Sequence, residues 1–148
     1  MTRERQMRKN TWSYCLATLL FAALLNAHAH EEEVVVIVNK GNANPVSHAL
    51  VVKIYTGATR GWEDGSPVFA LDLDENSPVR EEFYAKIIGK SRAAMRAIWA
   101  QNIFTGKGLP PKLANPDTEM KKLVSSNKNA IGYIRASSVD ESIKVVAP

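Results

Sequence analysis

The clearest pattern along the chain is an alternation of short apolar runs with amphipathic stretches. Residues 34–38, Val-Val-Val-Ile-Val, are continuously β-branched, as expected of a strand covered on both faces. Asn39 to Pro45 is a polar, glycine-containing turn leading to Ser47, which can cap a helix through Tyr55, with Thr56-Gly57 as its stop. Val46 is placed to staple the start of that helix. After a tight turn at Asp64-Gly65, residues 67–71 form the next apolar run and strand. Ser77 then caps a helix with Pro78 at its first position, where the missing N–H costs nothing. Val79, Phe83 and Ile87, with Tyr84 and Ile88, give that helix an apolar inner face, and Gly89 suits its C-cap.

Ser91 opens a further helix whose buried face holds Met95, Ile98, Trp99 and Ile103, and Phe104 is read as core. Residues 105–111 are a breaker-rich loop around Lys107, without the spacing of a Walker phosphate loop. Asp117 can cap a helix to Val124. Asn127 to Asn129 turns into a strand near 131–135, and a last strand covers 143–146. Strands alternating with helices predict an α/β domain in which ligands bind beyond the carboxyl ends of the strands. This places Asn39, Ser77, Arg80 and Ser137 in one expected neighbourhood.

Charge and hydropathy set the first 29 residues apart. Arg3, Arg5, Arg8 and Lys9 precede an uncharged run of ten, residues 16–25, and Ala27 and Ala29 satisfy an A-x-A rule. Basic start, short apolar centre and small-residue end predict a secretory signal peptide over 1–29, cut after Ala29, with a periplasmic domain over 30–148. The apolar run is too short for a membrane span, which needs roughly 20 residues. The whole chain carries +4, but residues 30–148 hold 15 basic and 14 acidic groups, so no polyanion-binding surface and no nucleic-acid partner are expected. Cys15, the one cysteine, lies before the apolar run, so neither a lipid anchor nor a disulfide is read, and about 119 residues must fold by burial alone.

The candidate chemistry centres on residues 72–88. Arg80 stands three after the cap, where a capping box would place Glu or Gln and where the helix dipole disfavours a cation. A strand end, a helix start and a first-turn Arg together suggest an anion site. The bland alternative is a surface ion pair of Arg80 with Asp74, Glu75 or a residue one turn on. Asp72, Asp74 and Glu75 form an acidic cluster that reads as a solvated loop before the helix rather than a cation site. His30 with the acidic run 31–33 reads as a solvated charge run, not a metal site, and His48 as structural. No cofactor is implied. No mature Cys and no Ser–His–acid pattern stands out, so a binding protein is expected rather than an enzyme.

Several of these stretches resemble the periplasmic phosphate-binding protein of ABC importers, in the type II periplasmic binding protein superfamily. Ile54-Tyr55-Thr56-Gly57 with Trp62 is similar to the family's Ile-Phe-x-Gly followed by Trp. Ser77 to Phe83 resembles its Ser-Gly-Thr helix start, and residues 130–134, Ala-Ile-Gly-Tyr-Ile, its Ala-Ile-Gly-Tyr-Val strand. The resemblance implies one three-layer lobe with a mixed sheet flanked by helices, and a phosphate or related small anion as ligand. It also implies importer membrane subunits as partners, or a second copy completing the cleft. Ser77 keeps the family serine, and Glu75 can stand for the upstream acid. Pro78, Val79 and Leu73 replace its Gly, Thr and Arg, and Arg80 would return the lost charge. Ser77, Arg80, Asn39 and Glu75 are therefore the expected ligand residues. The alternative is an interaction or scaffold module that has lost anion binding, meeting a partner through Trp62, if exposed, or the Lys107 loop.

Overall fold

The computed structural model describes residues 33–146; the expected signal peptide lies outside them. Eleven short stretches of regular structure build one mixed α/β unit. Its sheet has five strands in the order β3-β2-β4-β1-β5: β1 (Val34–Asn39), β2 (Phe69–Asp72), β3 (Lys112–Leu113), β4 (Ala130–Arg135) and β5 (Ile143–Val146). β2 runs parallel to both β3 and β4, whereas β1 is antiparallel to both of its neighbours, β4 and β5. Val36, Ile37 and Val38 are fully buried in succession, as their unbroken apolar pattern requires.

Side-chain alternation along β4 separates two helical layers. On one face Gly132 meets α4 (Asp117–Ser126): a Cβ at this glycine would lie 2.5 Å from Met120 Sδ and 3.3 Å from Val124 Cγ2. Only a residue without a side chain lets the helix lie this close to the strand. On the other face Tyr133 stacks on Phe83, with ring centroids 3.8 Å apart and planes 3° from parallel. Tyr55, from α1 (His48–Tyr55), packs edge-on against both, at 4.7 Å from Phe83 and 5.9 Å from Tyr133. The sheet is thus the middle of three layers.

The capping residues read from the sequence act as caps. Ser47, Ser77 and Ser91 each accept a hydrogen bond from the backbone N–H three residues on, opening α1, α2 (Pro78–Glu82) and α3 (Arg92–Phe104). Gly89 adopts φ of +69° and ends the second of these segments. That segment departs from the expected uniform α-helix: Phe83–Ile88 continues α2 as a π-helical turn. The wider turn brings the consecutive rings of Phe83 and Tyr84 both into the interior, 5.3 Å apart.

Four other expectations are corrected. Phe104, read as core, is 91% exposed, because it is the last residue of α3 and the chain turns away at Thr105-Gly106. Ile103 beside it is exposed as well, while Met95 is buried and Ile98 and Trp99 are half-buried against the core. Asp117 does not cap α4; Pro116 holds that position, and the Asp117 carboxylate instead accepts from Ser138 Oγ at 3.0 Å. Finally, the four expected strands gain a fifth, β3, just past the loop 105–111, pairing Lys112 with Leu71 and Leu113 with Asp72.

Candidate functional site

The parallel strands β2 and β4 end side by side, and Asp72 is the last residue of β2. It is almost wholly buried and accepts from four donors. Oδ2 takes the Arg80 Nε–H at 3.1 Å and the Tyr84 O–H at 2.9 Å. Oδ1 takes the Leu73 N–H at 2.9 Å and the Tyr133 O–H. The Arg80 guanidinium carbon also lies 4.8 Å from the centre of the Tyr84 ring, within cation–π range. A carboxylate withdrawn from solvent needs such partners, since a buried oxygen without a donor is costly.

The network shifts its own titrations. Burial alone would lower the Arg80 pKa, but the charge and hydrogen bond of Asp72 outweigh it and raise it. Burial first, and the Asp72 charge second, push Tyr55, Tyr84 and Tyr133 far above the usual phenol range. All three phenols are therefore fixed as neutral, and Tyr84 and Tyr133 are fixed as donors to Asp72. Tyr55 turns its hydroxyl to the Leu71 carbonyl, 2.9 Å away. At the same end of the sheet Glu82 joins α2 to β4 by pairing with Arg135 at 2.5 Å and with Lys86 at 3.0 Å. Burial raises its pKa, and those two cations pull it down by more, leaving it below the ordinary glutamate value.

Of the expected ligand residues, Ser77 and Arg80 are brought together at this strand end. Ser77 Oγ accepts the Arg80 backbone N–H at 3.4 Å, leaving its own O–H free to donate elsewhere. Arg80 is not on the surface with Asp74 or Glu75: its side chain is 16% exposed and its partner is Asp72. Glu75 is at the same end but pairs with Arg96 of α3 at 2.9 Å. Asp74 accepts from the Asn76 N–H and closes the turn into Ser77. The acidic cluster is thus divided among three separate tasks, and no group of three metal-ligating side chains occurs among the described residues.

Asn39 does not join this neighbourhood. Because β1 is antiparallel to β4, its last residue lies at the opposite end of the sheet. There its Nδ2 donates to the Val124 and Ser125 carbonyls at 2.9 and 2.7 Å, closing the C-terminus of α4. Ser137 follows β4 and is at the Asp72 end. His48 is bonded through Nε2 to the Ile87 carbonyl at 2.6 Å, a structural tie between α1 and the π-helical turn. Trp62 is buried, so it offers no exposed contact to a partner, and its Nε1–H donates to the Asn129 carbonyl at 3.1 Å.

Sequence reasoning missed Tyr84 and Tyr133 as polar members of the site, having read Tyr84 only as core and Tyr133 only as strand. A usable signal was present: an Asp closing an apolar strand, followed eight residues on by a first-turn Arg.

Comparisons with known proteins bear on the fold. No family model matches the chain, and no curated protein matches it in sequence. Solved structures do match. A phosphate transport receptor from Vibrio cholerae superposes with a TM-score of 0.60 at 22% identity, covering 76% of this chain and 44% of the receptor. A putative phosphate ABC transporter substrate-binding protein from Clostridium perfringens, solved with bound phosphate, gives 0.61 at 24% identity, with coverage of 76% and 43%. A possible phosphate-binding protein from Planctomyces limnophilus gives 0.54 at 16% identity. The chain therefore has the fold of one lobe of the substrate-binding proteins of phosphate ABC transporters. It spans less than half the length of these proteins.

Proposed function

We propose that this chain is an exported solute-binding module that takes phosphate or a related small anion at the shared end of β2 and β4, and that it binds without catalysing a reaction. The observation that carries the reading is Arg80. Asp72 holds its guanidinium through Nε, which locks a cation in one place at the strand end. The Ser77 hydroxyl stands at the start of the same helical segment. The fold shared with phosphate receptors supports this ligand class. The A-x-A-ended apolar leader supports export to the periplasm, and no described helix is long and apolar enough to cross a membrane.

Asp72 cancels much of the Arg80 charge, and a single lobe offers half a cleft, open to water, where such contacts are weak. The reading therefore includes a second body closing the site: a second copy of this chain or the membrane subunits of an importer. Calorimetric titration of the full chain with phosphate at low salt, alongside sedimentation, tests it. Saturable heat that is weakened by Ser77→Ala, together with a dimer mass, is the expected result. No heat with phosphate or sulfate would overturn it. The lobe would then be an interaction scaffold, with the exposed Lys107 loop as its contact surface.

A further inference from the structure

A second candidate site lies away from Arg80, where β2 begins. There the C-terminal end of α1, the start of β2, Trp99 of α3 and the loop 107–111 enclose a cavity of about 250 Å³. Trp99, Phe69 and Pro110 supply flat or apolar wall, and Arg60, Lys107 and Lys112 supply charge. No acid lines it, and none of the three cations is in an ion pair among the described residues. The indole Nε1 of Trp99 is buried and has no hydrogen-bond partner. A buried donor without an acceptor costs about 1–3 kcal/mol, so such groups ordinarily carry a partner.

The walls are built rather than incidental. Gly57 has φ of +74°, and a Cβ there would lie 2.9 Å from Trp99 Cη2 and 2.8 Å from Asn102 Nδ2. Asn102 Nδ2 in turn donates to the Thr56 carbonyl at 3.0 Å, clamping the end of α1 to α3. On the other side Gly108, at φ of +148°, admits the Arg60 guanidinium, whose Cζ is 2.7 Å from where a Cβ would be. The Lys112 ammonium lies 5.9 Å from the centre of the Phe69 ring.

We infer that this cavity binds a small organic carboxylate with a flat apolar body, its ring against Trp99 and Phe69 and its charge met by Arg60 and Lys107. An inorganic oxyanion would leave the apolar wall uncovered, and a neutral ring would leave the cations unanswered. The inference is independent of anion binding at Arg80, which involves none of these residues.

Benzoate is the probe and benzyl alcohol its neutral counterpart, read by ¹⁵N–¹H spectra of the full chain, with Trp99→Phe identifying the Trp99 indole resonance. Benzoate is expected to move that resonance saturably at millimolar concentration or below. Arg60→Ala and Lys107→Ala should each weaken binding about two- to fivefold, the size of an exposed charge contact. An unmoved Trp99 resonance overturns the proposal. So does equal binding of benzyl alcohol, or indifference to both charge removals in variants whose spectra remain folded.

Discussion

Arg80 Nε lies 3.1 Å from Asp72 Oδ2, and the bond ties the first turn of a helix to the last residue of the strand before it. Both side chains are largely withdrawn from water, at 16% and 5% exposure. Removing one partner of such a pair strands the other's charge. Arg80→Ala is therefore expected to destabilise the fold by about 3–5 kcal/mol, measured by urea denaturation. The double variant Asp72→Asn with Arg80→Gln leaves no stranded charge and should lose clearly less. Equal losses would mean that packing of the Arg80 stem, not its charge, is what the strand end requires. The same relationship makes Ser77→Ala the better probe of ligand binding, since loss of a cap costs only about 1 kcal/mol.

Tyr133→Phe removes one donor from Asp72 and keeps the ring that stacks on Phe83. The expected cost is about 1–3 kcal/mol, the penalty for leaving a buried acceptor short of a partner. Thermal unfolding of the variant beside the parent checks it, and an unchanged midpoint would mean that the remaining three donors satisfy the carboxylate.

Gly132→Ala places a methyl group against Met120 Sδ and Val124 Cγ2. Met120 can swing, but the helix above it is packed on the strand, so a loss of about 1–3 kcal/mol is expected from overpacking. By contrast Phe104→Ser, at a site 91% exposed, should change stability by no more than about 0.5 kcal/mol. The two together test whether α4 is pressed onto the sheet while the end of α3 stands free.

Acid should weaken the fold by a definite route. Glu82, Asp64 and Asp140 all have pKa values below their ordinary 4.5, 3.8 and 3.8. For Glu82 burial opposes the shift and the Lys86 and Arg135 contacts win; Ser66 lowers Asp64, and Lys121 lowers Asp140. The unfolded chain then binds more protons than the folded one as pH falls. The stabilisation from these groups is complete above about pH 4.5 and declines as pH drops through their folded values. Urea midpoints measured between pH 7 and pH 3 should be flat and then fall, and Glu82→Gln should flatten the beginning of that fall.

What the sequence disclosed was mostly local. Ser47, Ser77, Ser91 and Gly89 carry their capping roles in their own side chains and backbone freedom, and Val34–Asn39 announces a buried strand by composition. Strand direction is not local. Nothing within residues 34–39 says that β1 runs against β4, and that reversal carried Asn39 to the far end of the sheet. Asp72 was legible as an acid near a helix start, but its burial depends on Tyr84 and Tyr133 arriving from elsewhere in the chain. Lys112–Leu113 is too short to have a pattern, and becomes a strand because β2 offers it an edge.

The reversed direction of β1 has one more effect. Val34 pairs with Arg135, and Val146, the last described residue, pairs with Val36. Both ends of the described chain thus come out on the Arg80 side of the sheet. An antiparallel β1 sets these two strand ends close to one another rather than at opposite ends of the lobe.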